Sequence, residues 1–132
     1  MKKIEVVAAV IVKNSKILAV QKGKAKFEYV SYKWEFPGGK VELDETLEQA
    51  IKREIQEELN IQIIPTELLI TVEHQYPDFH LTMHCFSCCY ESGELLLNEH
   101  IALKWLNNDE LDQLDWAAAD LPVVNKLIEN DR

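Results

Sequence analysis

The sequence predicts an α/β fold in which a β-sheet carries α-helices on its faces. Two observations predict it. Several apolar or alternating runs of strand length are separated by turn residues, and two segments repeat their apolar residues at helical spacing. Strands interrupted by well-formed helices favour a sheet covered by those helices. A chain of 132 residues suffices for one domain with a real core and is too short for two, so we expect one domain over residues 1–132.

The first third of the chain predicts a β-hairpin, a loop and a short strand. Ile4–Val12 is a β-branched run, KNSK follows as a turn, and Ile17–Val20 is apolar again. Lys22–Lys33 is polar and aromatic without a clear period, which indicates a loop. Trp34–Phe36 alternates like a short strand, and we expect Pro37–Gly39 to end it.

A helix follows in the middle of the chain. Its spacing begins after Asp44 or Thr46, and Thr46 with Gln49 can form a capping box. We expect Asn60 to end the helix, because asparagine tolerates the left-handed conformation that helix ends often need. After Pro65 we predict strands Glu67–Gln75 and His80–Glu91 around a turn at residues 76–78, a turn at 92–93, a strand Ile101–Leu106, a short polar helix Asp109–Leu114 and an amphipathic helix Leu121–Glu129.

Composition excludes several classes of protein. The 14 basic and 23 acidic side chains give a net charge of −9, which argues against general binding to nucleic-acid backbones. Phosphate ligands are not excluded, because a divalent metal can bridge acid and phosphate. No run is long enough to span a membrane and no signal peptide is recognisable, so we expect a cytoplasmic protein, and no obligate protein partner is evident. The strand-like context of Cys85, Cys88 and Cys89 favours small buried hydrophobes over a redox or zinc pair.

The predicted helix places carboxylates where apolar residues should lie. At about 100° per residue, Glu54 and Glu58 fall in the middle of the apolar stripe and Glu57 falls at its edge. Burying an unpartnered carboxylate costs several kcal/mol or forces it to take up a proton. Arg53 points away on the helical wheel, so we do not expect it to neutralise all three acids. The stripe itself comprises Leu47, Ala50, Ile51 and Ile55.

A hard divalent cation would resolve this conflict. Several carboxylates suit Mg²⁺ or Mn²⁺ rather than zinc, and Mg²⁺ commonly completes its shell with waters and substrate phosphates. The pattern therefore indicates a metal-assisted enzyme acting on phosphates, with a structural ion-pair cluster as the alternative. Gly38 and Gly39 agree, because glycine lets the backbone approach a metal or phosphate, although glycine pairs also serve simple turns.

The segment GKVELDETLEQAIKREIQEELNI, which starts at Gly39, resembles the Nudix box. Eight of its nine defining positions match, and the departure is Asn60 in place of the usual glycine. The stretches WEFPGGKVE and AADLPVV and the aromatic Trp105 resemble the MutT-like branch, so the resemblance covers nearly the whole chain. The matching box residues are Gly39, Glu45, Arg53, Glu54, Ile55, Glu57, Glu58 and Ile61.

This resemblance implies an α/β/α Nudix fold, with a mixed sheet sandwiched between helices. It also implies a Mg²⁺-dependent enzyme, with Mn²⁺ able to replace Mg²⁺, that hydrolyses nucleoside triphosphates to monophosphate and pyrophosphate. Damaged nucleotides such as 8-oxo-dGTP, whose removal protects DNA, are the first expected substrates, and CTP or dCTP are the alternative. The short chain counts against ADP-ribose, and the complete set of box acids counts against a non-catalytic nucleotide sensor.

The resemblance further implies roles for the acids. Glu57 and Glu58 would bind the metal together with the Gly38 carbonyl. Glu54 would be a further ligand or the base that orients the attacking water. Glu99 would add a carboxylate from outside the box, unless it is simply a solvated loop acid.

Other residues would support the site or bind substrate. Three of them have a plain structural alternative: a solvated lysine at position 22, a core aromatic at position 36, and a helix N-cap at position 120. The expected phosphate contacts are Lys22, Gly39 and Lys40, the expected base contacts are Phe36 and Asp120, and the expected structural pair is Arg53 with Glu45.

Overall fold

One seven-stranded sheet organises the part of the chain that the computed structural model describes, residues 2–130. No helix in this part is both long and apolar enough to cross a membrane. The strands are β1 Lys2–Lys13, β2 Lys16–Gln21, β3 Trp34–Glu35, β4 Gly38–Lys40, β5 Gln62–Gln75, β6 Phe79–Ser92 and β7 Ala102–Leu106. The helices are α1 Leu47–Leu59 and α2 Leu121–Asn130, with 3-10 helices at Glu28–Val30, Asn108–Gln113 and Ala118–Asp120.

The sheet is mixed, because β1 pairs in parallel with β6 and antiparallel with β2 and β4. The strand order is β3-β2-β1-β6-β5, with β4 beside β1 and β7 beside β2. β1 is buried on both faces: Val7, Ala9 and Ile11 belong to the core cluster of α1, whereas Ala8 and Val10 belong to that of α2. The two helices therefore cover opposite faces of the sheet, which confirms the predicted α/β arrangement.

The predicted hairpin and the buried cysteines are present, with one exception. Asn14 and Ser15 join β1 to β2 with φ values of 53° and 65°, as a two-residue hairpin turn requires. Cys85 and Cys88 are buried in β6. Cys89 is exposed, because the stretches of β1 and β5 beside it are themselves exposed, so the prediction for this cysteine is wrong.

The segment Pro37–Gly39 follows the strand β3, as the sequence predicts, and its two glycines begin the next strand, β4. Gly38 opens β4, which pairs with β1. A Cβ on Gly38 would lie 1.9 Å from the Val7 carbonyl oxygen, so only glycine lets the two strands approach this closely. The sequence pattern marked the turn residues correctly but did not reveal the strand pairing.

Several boundaries in the second half of the chain differ from the prediction by one residue, and the start of β5 differs by five. The predicted polar helix Asp109–Leu114 is a 3-10 helix, Asn108–Gln113. β5 begins at Gln62 rather than Glu67 and contains Pro65. Proline is tolerated there because β5 ends the strand order and its pairing with β6 changes register between Pro65 and Glu67. β7 begins at Ala102 rather than Ile101.

α1 begins and ends where the sequence predicts. The Thr46 hydroxyl accepts a hydrogen bond from the Gln49 N–H at 3.1 Å, and the Gln49 side chain accepts one from the Thr46 N–H at 2.9 Å. The capping box is therefore present. Asn60 follows with φ of 61°, and its side-chain amide donates to the Glu94 carbonyl at 3.1 Å.

We expect Asn60→Ala to lower the free energy of unfolding by roughly 1–2 kcal/mol, because alanine is strained at positive φ. Asn60→Gly is the matched variant: glycine adopts this φ freely and should remain closer to the parent protein. Urea unfolding of both variants measures the difference. Equal stability of the two variants would contradict the cap assignment.

Candidate active site

α1 packs beside β4 and exposes its three box acids to different degrees. The side chain of Glu58 is 3% exposed, that of Glu54 16% and that of Glu57 57%. This order agrees with the helical wheel, which places Glu54 and Glu58 inside the apolar stripe and Glu57 at its edge. Glu58 is thus an acid in the protein core.

Glu58 stands among other carboxylates. Burial first, and then the negative charges of Glu54, Glu99 and Glu35, raise the pKa of Glu58 to about 9. Each of these three carboxylates therefore lies close enough to oppose a negative charge on Glu58. A fully ionised cluster of this kind requires a cation.

Arg53 reaches two of the three box acids, which agrees with the expectation that it does not neutralise all three. One terminal nitrogen, Nη1, lies 2.9 Å from Glu54 Oε1 and 3.3 Å from Glu57 Oε2, because the long side chain extends beyond its own helix position. The other two nitrogens form the expected pair with Glu45 at 2.6 and 2.9 Å, which lowers the pKa of Glu45 to about 2. The single positive charge of Arg53 is thus shared among Glu45, Glu54 and Glu57, so the box acids keep an excess of negative charge when they are ionised.

Gly39 makes room for one of these carboxylates. A Cβ at this position would lie 2.3 Å from Glu54 Oε2. The next residue, Lys40, accepts a hydrogen bond from Arg53 Nη2 on its carbonyl oxygen at 3.0 Å. Strand β4, the arginine and the acid therefore form one packed unit.

Glu99 follows a residue that is bound to the end of α1. The Asn98 N–H donates to the Glu58 carbonyl at 3.0 Å, and the Asn98 side chain donates to the Glu57 carbonyl at 2.9 Å. Glu99 is itself exposed, yet its charge acts on Glu58. The structure thus brings this residue close to the box acids, as expected.

A cleft of about 220 Å³ connects the glycines with the expected base contacts, and its lining includes Gly38, Gly39, Phe36 and Asp120. Asp120 Oδ1 accepts a hydrogen bond from the Phe36 N–H at 3.0 Å, and burial raises the pKa of Asp120. Asp120 closes a 3-10 helix that continues directly into α2. The alternative prediction of an N-cap is therefore wrong, because the carboxylate bonds across the fold instead.

Two residues of the site escape the sequence analysis, Glu35 and His100. Glu35 lines the cleft, and its charge acts on both Glu58 and Asp120. His100 Nε2 lies 2.9 Å from Glu35 and 3.8 Å from Glu58, and Nδ1 is a buried polar atom for which residues 2–130 provide no hydrogen-bond partner. In the sequence, Glu35 is a polar residue between two aromatic residues of a strand, and this pattern does not distinguish a site residue from a surface residue. The position of His100 directly after Glu99 is the one feature of the sequence that could have indicated its role.

The two lysines expected at the phosphates occupy different places. Lys22 lines the cleft, with Nζ 3.9 Å from Glu35 Oε1. Lys40 is exposed and lines a neighbouring cleft, to which Lys22 also contributes. Tyr76 and Phe79 line the first cleft as well.

The acids suit a divalent cation without forming a closed cage for it. Among residues 2–130, no three His, Cys, Asp or Glu side chains are already grouped as a metal-binding set, and Arg53 holds Glu54 and Glu57. Oxygen donors, a glycine backbone beside them and the buried Glu58 fit an ion that keeps waters and substrate oxygens in its shell, as Mg²⁺ does.

The model of the NUDIX domain family matches residues 2–127. The chain belongs to the Nudix family. It is 38% identical over 124 residues to the CTP pyrophosphohydrolase of Escherichia coli (strain K12), covering 94% of this chain and 90% of that protein. It is 32% identical over 127 residues to the 8-oxo-dGTP diphosphatase of the same strain, covering 96% and 98%. A crystal structure of a MutT Nudix hydrolase from Burkholderia pseudomallei matches with a TM-score of 0.82 at 30% identity, covering 96% of this chain and 98% of that one.

These similarities confirm the predicted family and the α/β Nudix fold with its MutT-like character. This Nudix protein is a hydrolase. Nudix hydrolases act on nucleotide substrates and generally need a divalent metal. The family thus agrees with the excess of carboxylates around Glu58.

We expect Gly38→Ala to lower the stability of the protein and Gly39→Ala to lower its activity. The new methyl group of Gly38→Ala meets the rigid backbone of β1 and should lower the free energy of unfolding by roughly 1–3 kcal/mol. In Gly39→Ala the methyl group meets the mobile end of Glu54, so the fold should persist while metal-dependent hydrolysis falls. Urea unfolding and hydrolysis assays on both variants separate the effects. A fully active Gly39→Ala protein would exclude this role for the glycine.

We also expect the metal-free protein to lose stability as the pH rises from about 4.5 towards about 9. In this window the folded state retains the proton of Glu58, whereas the unfolded state has released it, so folding is opposed by rising pH. Glu58→Gln should reduce this slope, and Glu48→Gln, on the exposed side of α1, should leave it unchanged. Urea unfolding in EDTA at several pH values in this range measures the slope of the free energy of unfolding against pH. An unchanged slope in Glu58→Gln would contradict the raised pKa.

Proposed function

We propose that the protein hydrolyses ribo- and deoxyribonucleoside triphosphates to a nucleoside monophosphate and pyrophosphate, with Mg²⁺ as cofactor and Mn²⁺ as a substitute. The observation that carries this proposal is the buried Glu58, surrounded by carboxylates beside a cleft that also contains Asp120. An acid cluster next to a cleft that contains Phe36 and Asp120 fits metal-bridged phosphates at one end and a base at the other. The single-domain organisation over residues 1–132 and the cytoplasmic location remain predictions.

In this proposal Glu57 and Glu58 bind the metal with the Gly38 carbonyl, and Glu99 adds a carboxylate from the loop. Glu54 is either a further ligand or the base. The ion, when bound, would neutralise phosphate charge and orient the phosphates for in-line attack. The carboxylate acting as base would take a proton from the attacking water, a contribution of roughly 10²–10⁴-fold in rate. Glu54 and Glu57 would first leave Arg53 Nη1, while Glu45 keeps the arginine in place.

Substrate contacts follow from the cleft. Lys22, Gly39 and Lys40 would bind the phosphates, and Phe36 and Asp120 would contact the base. Because burial raises the pKa of Asp120, a neutral carboxylic acid is favoured there, with one O–H donor and remaining acceptor capacity.

The first substrate candidate is 8-oxo-dGTP or another damaged nucleotide. The protein would then remove damaged nucleotides from the nucleotide pool and so protect DNA. The second candidate is CTP or dCTP. One observation favours the second candidate: the chain is 38% identical to the E. coli CTP pyrophosphohydrolase and 32% identical to the E. coli 8-oxo-dGTP diphosphatase. A non-catalytic sensing role is disfavoured, because all the box acids are present.

We expect pyrophosphate release in Mg²⁺ from at least one of 8-oxo-dGTP, CTP, dCTP and 5-methyl-dCTP, and much less turnover of ADP-ribose. Glu57→Gln should lower kcat on the order of 100-fold or more with the fold retained. The matched control Glu48→Gln removes the same charge from the exposed side of the helix and should keep its activity. Reaction in ¹⁸O-water identifies the attacked phosphorus by whether the monophosphate or the pyrophosphate carries the label. Unchanged turnover in Glu57→Gln would refute the metal assignment.

A further inference from the structure

His100 is a buried histidine whose ring nitrogen Nε2 approaches two carboxylates of the site. The side chain is 5% exposed, and Nε2 lies 2.9 Å from Glu35 Oε2 and 3.8 Å from Glu58 Oε1. Because ionised carboxylate oxygens only accept hydrogen bonds, this geometry favours a proton on Nε2, which is donated to Glu35. The second ring nitrogen, Nδ1, is buried and has no hydrogen-bond partner within residues 2–130.

The backbone on both sides of His100 is fixed to other elements of the fold. The N–H of Asn98, two residues earlier, donates to the Glu58 carbonyl at the end of α1, at 3.0 Å. The N–H of Ile101, the next residue, donates to the Gln21 carbonyl of β2, also at 3.0 Å. The place of the imidazole is therefore set by the main chain, independently of its own side-chain hydrogen bond.

A role in stability alone does not account for a histidine at this position. A buried polar nitrogen without a partner opposes folding, because the atom loses its hydrogen bonds to water and gains none in the protein. A leucine in place of His100 would avoid this loss. What the histidine supplies and a leucine cannot is a hydrogen-bond donor between Glu35 and Glu58.

We propose that His100 is a positioning residue for the metal ion and acts through Glu35 and Glu58. This inference rests on the proposed function, in which Glu58 binds the ion and Glu35 does not. Glu35 lines the cleft proposed for the nucleotide, and its negative charge acts on Glu58. A free Glu35 side chain would therefore be a competing oxygen ligand beside the intended one.

The hydrogen bond from His100 prevents this competition in two ways. It holds the Glu35 carboxylate at a fixed point, so that this acid stays on the imidazole and leaves the ion to Glu58. It also places the positive end of an N–H dipole between the two acids, which offsets part of the repulsion between them. Removal of such a supporting contact commonly weakens metal binding by roughly 10–100-fold.

The test compares His100→Leu, which removes the donor, with His100→Gln, whose amide nitrogen can replace Nε2. Calorimetry and electron paramagnetic resonance with Mn²⁺ alone should show binding about tenfold weaker in His100→Leu and close to the parent in His100→Gln. In turnover assays, His100→Leu should need about tenfold more Mg²⁺ for half-maximal rate, with kcat at saturating Mg²⁺ nearly constant. Urea unfolding in EDTA should show that His100→Leu is at least as stable as the parent.

His84 provides the matched control. Its Nε2 lies 2.8 Å from Glu5 Oε2, so it forms a similar histidine–acid pair, which joins β6 to β1. His84→Leu should therefore leave the affinity for Mn²⁺ unchanged. Glu58→Gln serves as the reference for loss of a ligand and should bind Mn²⁺ more weakly than His100→Leu does.

The outcomes separate the histidine from the proposed reaction. Weaker Mn²⁺ binding in Glu58→Gln with unchanged binding in His100→Leu would overturn the positioning role and leave the proposed function standing. Equal losses in His100→Leu and His84→Leu, or a loss that His100→Gln does not restore and that accompanies lower stability in urea, would also overturn the positioning role. Unchanged binding in Glu58→Gln would overturn the metal assignment of the proposed function, and the positioning role with it.

Discussion

The buried carboxylate of Glu58 is the constraint on which the rest of the site depends. A glutamate in the middle of the apolar face of α1 gives up a core contact and introduces a charge that water cannot solvate. Its neighbours are also acids, from the same helix, from the loop before β7 and from β3. The folded chain therefore gathers carboxyl groups around one internal point, where the raised pKa of Glu58 keeps this acid protonated as long as no cation is bound.

Arg53 explains how this cluster coexists with a stable fold. Two of its nitrogens are committed to Glu45 and one of these also reaches the Lys40 carbonyl, so the guanidinium is fixed independently of the other acids. The remaining nitrogen holds Glu54 and Glu57. These two carboxylates can change partner without releasing the arginine, and the helix then stays in register with β4.

The sequence predicts α1 and its acids well because their determinants are local. Helical periodicity, the Thr46 cap and the left-handed Asn60 all act within a few residues of one another. The contacts between Asp120 and Phe36 and between His100 and Glu35 join residues 84 and 65 positions apart, and no short pattern encodes them. The helical wheel also does not encode the contacts of Arg53 with Glu54 and Glu57, since it describes where a side chain starts and not where a long one ends.

The walls of the nucleotide cleft differ in chemistry, and this difference favours one orientation of a nucleotide. Glu35 lines the cleft, so a phosphate group placed beside it would face a carboxylate. Gly39 lines the same cleft next to the Glu54 carboxylate, where a cation could bridge acid and phosphate. In the proposed function the phosphates therefore belong on the glycine side of the cleft, and the base belongs beside Phe36 and Asp120.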